Sequence, residues 1–315
     1  MGAVAVEAVA PATSANLGSG FDVFSVALDV FHDSVYVEMI EKNRVEISVE
    51  GLGAASIPVA PEQNTAGIVA KALLENSKSH CGIRMKIRKG VRPGSGLGSS
   101  AASAAAAAVA INELLNLGLS KLELIGFAAK GEVASAGAAH ADNASSAILG
   151  GFTIVRSYQP FDVISLSLPE NVGFAVAIPD IHFSTGLARS VLPKKVDLSN
   201  MTYNIGHAAT IVAGIALNDI NTIGKGMSDS VIEPARARLI RGLSEVKRKA
   251  LEAGAVGVAI SGAGPSVLAL VNIDEGSSAN IAEAMRRAFE GHNVKCEAVC
   301  AKPGPGARLV RKVEW

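Results

Sequence analysis

The stretch Pro93-Gly-Ser-Gly-Leu-Gly-Ser-Ser-Ala-Ala102 decides how the chain is read, because it sets flexible, donor-rich backbone directly before a segment with every reason to be helical. Upstream, Ile83-Arg-Met-Lys-Ile-Arg88 alternates apolar and charged residues with a period of two, as a half-buried strand does. Downstream, Ala101 to Leu117 combines the best helix former with Leu114, Leu115 and Leu117, and Gly118 stops it. The local order is therefore strand, glycine loop, helix. Gly94, Gly96 and Gly98 let successive N–H groups turn inward and let an anion approach without a Cβ in the way. The helix start adds unpaired N–H groups and a positive dipole end, so the stretch reads as a phosphate cradle. A small-residue linker has a similar composition, but it would not pass directly into so strong a helix. Neither of the two better-known phosphate patterns fits: the Walker loop needs Lys where Ser99 stands, and G-x-G-x-x-G fails on spacing.

With 315 residues the chain can form one large domain or two ordinary ones, each with a substantial core. Lys plus Arg and Asp plus Glu are both 29, so no net charge draws the protein toward nucleic acid or an anionic membrane. Aromatic residues at 4% are too few for a base-stacking platform, which removes the other half of a nucleic-acid footprint. Much of the 49% hydrophobic content is alanine, and no run approaches the twenty strongly apolar residues of a bilayer span. No secretory signal is visible, and Val6 breaks the myristoylation pattern after Met1-Gly2, so a cytoplasmic location is expected. Cys81, Cys296 and Cys300 have neither disulfide density nor zinc spacing and are expected to be buried small hydrophobes.

Along the chain, Val4 to Val9 reads as a first strand ending at Pro11, and Asp29 to Ile40 and Arg44 to Val49 as a hairpin about Lys42-Asn43. Asn64 is a plausible N-cap for a helix reaching Glu75, and Ser120 with Glu123 forms a capping box for a helix reaching Ala136. Gly151 to Arg156 is a strand, after which Gln159-Pro160 marks a change of register, giving domains at 1–160 and 161–315. Beyond it, Val163 to Leu168 and Phe174 to Ile178 read as strands, and Asn200 to Asp219 and Pro234 to Ala253 as helices. Val256 to Ile260 and Val267 to Val271 flank a second glycine loop, and helix Ser277 to Glu290 and strand Val294 to Val299 follow. From Phe174 the order is β, helices, β, β, α, β, the split pattern of a ferredoxin-like sheet with helices on one face, so the fold class is α+β.

At these residues the chain resembles a known family. Pro93 to Ala102 is similar to the central motif of the small-molecule kinases that include galactokinase, homoserine kinase, mevalonate kinase and phosphomevalonate kinase, the GHMP superfamily. Pro11-Ala-Thr-Ser-Ala-Asn-Leu-Gly-Ser-Gly-Phe-Asp22 resembles its N-terminal motif and Ser261-Gly-Ala-Gly-Pro-Ser266 its C-terminal glycine loop; three motifs in order span nearly the whole chain. The wording of the first motif, with His140-Ala-Asp-Asn143, resembles the homoserine-phosphorylating branch. The resemblance implies a two-domain fold, an N-terminal α/β ATP-binding domain and a ferredoxin-like C-terminal domain that closes the acceptor site. It implies ATP and Mg2+ as cofactors and L-homoserine as the phosphoryl acceptor in threonine biosynthesis. A homodimer is the expected assembly.

Phosphoryl transfer asks for a cradle, a magnesium ion and an acceptor hydroxyl held in line. The cradle is Pro93, Gly94, Ser95, Gly96, Leu97, Gly98, Ser99, Ser100, Ala101 and Ala102, with Asn64 and Thr65 at another helix start helping to hold the nucleotide. By resemblance Ser100 and Glu132 are the metal-side pair, which suits an ion that keeps most of its waters; read from sequence alone, Glu132 is equally a solvated helix charge or a partner of Lys130. His140-Ala-Asp-Asn143 could be no more than a helix cap. In the mevalonate kinase branch an aspartate assigned as general base stands in the slot aligned with Asn143, and a neutral amide takes up no proton. Asn143 is then expected to orient the acceptor hydroxyl, with Asp142 or Asp22 as competing bases.

Homoserine carries a carboxylate, an ammonium and a hydroxyl. Arg189, beside Thr185, and Arg236 supply forks suited to the carboxylate, while Asn16, Asp22 and Asp142 suit the ammonium and hydroxyl. On sequence alone Arg236, next to Arg238 and Arg241, is also readable as a solvated charge, and the turn with Gly262 and Gly264 as a tight structural loop. Two rival readings stay open: a sibling kinase for mevalonate, shikimate or a sugar, and a non-catalytic sensor that binds nucleotide on the same fold.

Overall fold

Ile83, Met85 and Ile87 are buried while Arg84, Lys86 and Arg88 face solvent, so the alternating stretch before the glycine loop is a strand whose inner face is core. The structure, a computed structural model, describes residues 3–77, 81–136, 140–158 and 161–314. In chain order the first unit comprises β1 (Ala3–Asn16), β2 (Gly20–Ile40), β3 (Val45–Gly51), α1 (Thr65–Ser77), β4 (Gly82–Lys89), α2 (Ser99–Leu114), α3 (Lys121–Ala136), α4 (Asp142–Leu149), β5 (Phe152–Tyr158) and β6 (Phe161–Leu166). The second comprises β7 (Val172–Pro179), α5 (Thr185–Ser190), α6 (Leu198–Ala216), α7 (Ile220–Gly226), α8 (Ile232–Ala237), α9 (Leu243–Glu252), β8 (Gly257–Ile260), β9 (Val267–Asn272), α10 (Ser278–Gly291) and β10 (Cys296–Ala301), before β11 (Arg308–Glu314).

The first sheet runs β11-β1-β2-β4-β3, with β5 on β2 and β6 on β5. The expected hairpin of β2 with β3 does not form: β4 lies between them, antiparallel to β2 and parallel to β3. A parallel pair needs a crossover, and α1 between β3 and β4 supplies it. The first strand does not end at Pro11 but continues to Asn16, with a register shift against β2 at Pro11/Ala12. Helix α2 is buried almost all round, since Ala101 to Ala108 pack against α1, α3, α4 and the sheet; small side chains are what let four elements approach one helix so closely.

The second sheet runs β10-β7-β9-β8, all antiparallel, which is the ferredoxin-like order expected from the β-α-β-β-α-β pattern. Gln159 and Pro160, where the boundary is expected, lie outside the described residues; beyond them β6 pairs in the first sheet, and β11, expected in the second domain, pairs with β1. The helix expected over Pro234 to Ala253 is two helices: α8 ends at Ala237, and α9 starts afresh after Gly242, which takes φ 87° as its N-cap. The cysteines are not in disulfides, and none is fully buried; Cys300 is exposed on β10, an edge strand. Among the described residues no helix is long and apolar enough to cross a membrane.

Candidate active site

The cradle begins where β4 ends. Gly98 sits at φ 63° before the first residue of α2, and no side chain caps that helix, so its leading N–H groups remain available to a ligand. A Cβ on Gly98 would stand 1.9 Å from Thr13 Oγ1, and one on Gly96, at φ 84°, would stand 2.6 Å from the Ser261 carbonyl oxygen. Both glycines are thus required by close approach of the other two motifs as well as by backbone conformation. Thr13 N–H donates to Leu97 O at 3.1 Å, Ser266 N–H to Ser95 O at 3.1 Å, and Ser261 Oγ–H to Gly96 O at 2.8 Å. Motifs some 165 residues apart in sequence therefore hold one loop in place.

Under the cradle lies a buried ion pair. Lys89 Nζ meets Asp33, donates to Ser99 O and to Ser103 Oγ, both at 2.7 Å, and fixes the first turn of α2. Asp33 Oδ1 accepts the N–H groups of Gly90 and Val91, both at 3.0 Å, and Ser103 Oγ–H donates to Asp33 Oδ2. Burial pulls the Lys89 ammonium below the usual lysine range, against the pull of Asp33.

A cavity of about 510 Å³ opens above this base, between the two units. Ser56, Ile57, Pro58, Gln63, Asn64 and Thr65 line one end, the cradle glycines with Ser99 and Ser100 the middle, and Asp142, Asn143, Arg189 and Arg236 the other end. At the middle, Ser100 Oγ–H donates to Glu132 Oε2 at 3.0 Å. Burial raises the Glu132 carboxyl to about 7, opposed by the Ser100 hydrogen bond. Asp142 is likewise buried and raised to about 6, although its Oδ1 accepts the Asn143 N–H at 2.8 Å.

The far end is dominated by cations. Arg189 forms a two-pronged pair with Asp22, at 2.8 and 3.2 Å, and its Nη2 lies 3.3 Å from His140 Nδ1. Arg236 is buried, donating to Gly262 O at 2.9 Å and Ala188 O at 3.3 Å, and burial with the charge of Arg189 pulls it down to about 10. Both guanidinium groups lie over the Phe21 ring, 5.5 and 5.4 Å from its centre. Burial also lowers the His140 imidazole, so the ring is neutral at pH 7, and its buried Nε2 has no partner among the described residues. A pocket with two guanidinium groups, a carboxylate and a neutral imidazole suits a small zwitterion better than an uncharged alcohol.

A larger groove of about 1290 Å³ lies between α9 and α10 on the outside of the second unit, lined by Arg238, Arg241, Lys249 and Arg287. None of the three glycine-bearing motifs reaches it, so the chemistry belongs to the interdomain cavity.

Known proteins support that layout. The descriptions GHMP kinases N terminal domain and GHMP kinases C terminal match residues 64–151 and 211–291. A relative named homoserine kinase from Methanocella arvoryzae is 45% identical over 305 residues, covering 97% of each chain. Another of that name, from Methanococcus vannielii, is 46% identical over 266 residues, 84% of this chain and 87% of the relative. The chain belongs to the GHMP kinase family. The crystal structure of homoserine kinase from Cytophaga hutchinsonii superposes on this GHMP kinase with a TM-score of 0.92 and 38% identity over 98% of both chains.

Within this GHMP kinase the residues expected from sequence divide by where their side chains go. Asn64, Thr65, Pro93, Gly94, Gly96, Gly98, Ser99, Ser100, Glu132, Asp142, Asn143, Asn16, Asp22, Thr185, Arg189, Arg236, Gly262 and Gly264 all line the cavity. Ser95, Leu97, Ala101 and Ala102 are buried off it, Ser95 Oγ–H donating to Arg92 O and the other three packed in the core. Some lining groups are already committed: Ser99 Oγ–H donates to Val91 O, Asn64 caps α1 through the N–H groups of Ala66 and Gly67, and the Asn16 amide bridges Asp22 N–H and Gly262 O. Sequence reasoning missed Thr13, Asp33 and Lys89. A signal for two of them existed, since Lys89 continues the inward parity of Ile83, Met85 and Ile87, and Asp33 that of Val35 and Val37.

Proposed function

We propose that this GHMP kinase transfers the γ-phosphoryl group of ATP to the side-chain hydroxyl of L-homoserine, giving O-phospho-L-homoserine for threonine biosynthesis. The observation that carries the reading is the single cavity in which uncapped amides at the start of α2 face a pole made of Arg189, Arg236, Asp22 and His140. The amides of the cradle bind the triphosphate, and the Asn64–Thr65 end receives the nucleoside. Arg189 and Arg236 hold the acceptor carboxylate, and Asp22 holds its ammonium.

Ser100 and Glu132 offer two hard oxygens on the cavity wall, a donor set that fits Mg2+ with most of its remaining ligands from water and phosphate. When bound there, the ion withdraws charge from the transferring phosphate. In the transfer itself the bond between the γ-phosphorus and the β–γ bridging oxygen breaks as one forms to the homoserine oxygen, and ADP leaves. Asn143 orients the attacking hydroxyl. Both oxygens of Asp22 are bound by Arg189, so Asp142 is the carboxylate suited to take the hydroxyl proton, its raised pKa making it a stronger base than a solvated aspartate.

A coupled assay for ADP release, offering homoserine, mevalonate, shikimate and galactose in turn with Mg·ATP, tests the reading. Release is expected with homoserine, together with a phosphomonoester signal by 31P NMR. Turnover of mevalonate or shikimate with none of homoserine overturns it, and tight nucleotide binding without transfer to any acceptor favours the sensor. A homodimer is part of the same proposal, and sedimentation equilibrium measures it.

A further inference from the structure

Thr13 stands between the two halves of the reaction. Its N–H donates to Leu97 O of the cradle at 3.1 Å, and its buried side-chain hydroxyl donates to Asn143 Oδ1 at 2.7 Å. The direction of that second bond follows from the neighbours of the amide. Asp142 Oδ1 lies 3.4 Å from the other terminal atom of Asn143, and a carboxylate only accepts, so that atom is the nitrogen. The oxygen therefore faces Thr13, and the threonine must spend its single proton on it. With Oδ1 engaged by Thr13 and one Nδ2 hydrogen directed at Asp142, the second Nδ2 hydrogen is the donor that Asn143 can offer the cavity. The Asn143 backbone is held as well, because Asp142 Oδ1 accepts its N–H and its own carbonyl oxygen accepts Ser146 Oγ–H at 3.3 Å.

We propose that Thr13 is a positioning residue that locks the Asn143 amide nitrogen toward the acceptor oxygen, so that Asn143 acts in transfer as a hydrogen-bond donor. This rests on the kinase reading above. The donated N–H meets the homoserine oxygen, aiming one of its lone pairs at the γ-phosphorus while the hydroxyl proton leaves toward Asp142. The same residue ties the phosphate loop to the acceptor side, so a shift of one moves the other.

The test is Thr13→Val, which keeps a β-branched strand residue but removes the donor. Thr13→Ala serves where the methyl that replaces Oγ1 crowds Gly98, at which an added Cβ would stand 1.9 Å from that oxygen. Expected is a fall in kcat of about 10-fold or more with KM for homoserine and ATP within about threefold, restoration by Thr13→Ser, and no further fall when Thr13→Val is added to Asn143→Ala. An unchanged kcat overturns the proposal. So does a loss of equal size in the Asn143→Ala background, or a Thr13→Ser protein as slow as Thr13→Val, since either result separates Thr13 from the amide. Absence of homoserine-dependent ADP release by the unaltered protein is a different failure, that of the kinase reading itself.

Discussion

Replacing Asp142 by Asn separates what the carboxylate does for the reaction from what it does to the fold. Its carboxyl is raised from 3.8 to about 6, chiefly by burial, with the Asn143 N–H opposing. Because the folded value lies above the unfolded one, the native state binds more protons between them. The stability associated with this group is full below about pH 4 and is lost as the pH rises through about 6. The whole loss is about 3 kcal/mol, of which about half is already suffered at pH 5. Asn keeps an oxygen to accept the Asn143 N–H but has nothing to ionise. Urea denaturation without nucleotide or metal should therefore show Asp142→Asn gaining on the order of 1–2 kcal/mol on the parent between pH 5 and pH 8. Turnover should fall by about 100-fold or more with little change in homoserine KM, as for a lost general base. A gap between variant and parent that is the same at both pH values, or narrower at pH 8, refutes the argument that burial sets the state of this carboxyl. Unchanged kcat refutes its role as base.

With Glu132 in the proposed metal-side role beside Ser100, Glu132→Gln is expected to lower kcat by about 100-fold or more and leave homoserine KM within about threefold; steady-state kinetics with the reverse pattern would mean the role is wrongly assigned. In the unaltered enzyme kcat/KM for ATP should decline as the pH falls below about 7, where Glu132 takes up its proton, and a flat profile from pH 5.5 to 8 contradicts this. Arg189→Ala should raise homoserine KM by about 10-fold or more with a smaller effect on kcat, measured by kinetics and calorimetric titration. Asp33→Asn leaves the Lys89 ammonium buried without its counter-charge and should destabilise the protein by about 3–5 kcal/mol in urea; a variant as stable as the parent would show the pair to be dispensable.

Local periodicity carried most of the fold. The strand at Ile83, the capping box of Ser120 with Glu123 and the β-α-β-β-α-β order after Phe174 were legible because each signal is complete within one element or in element order. What failed was pairing. Arg44 to Val49 reads as a strand, but nothing within it says that β4, forty residues on, will slide in beside it. Residues 308–314 mix charged and apolar side chains without a period of two and are nearly all exposed, so their pattern resembles an exposed tail, and β11 was missed. The site shows the same division. Glycine and hydroxyl spacing exposed the cradle, whereas Thr13 with Asn143, 130 residues apart, and Lys89 with Asp33, 56 apart, become partners only through the sheet register.

The return of β11 to the first sheet means that the ferredoxin-like unit is inserted into its neighbour and leaves it by two covalent tethers. The second is stitched down: Asp29 N–H donates to Lys302 O, Gly304 N–H to Ala27 O and Ala307 N–H to Ala147 O. The insert is also held at the cradle, where Gly262 N–H donates to Ala15 O and Ser266 N–H to Ser95 O, so it meets its neighbour at more than its covalent ends. A chain cut before Arg308 would lose the β11 partner of β1 and leave that strand as an open edge of the first sheet.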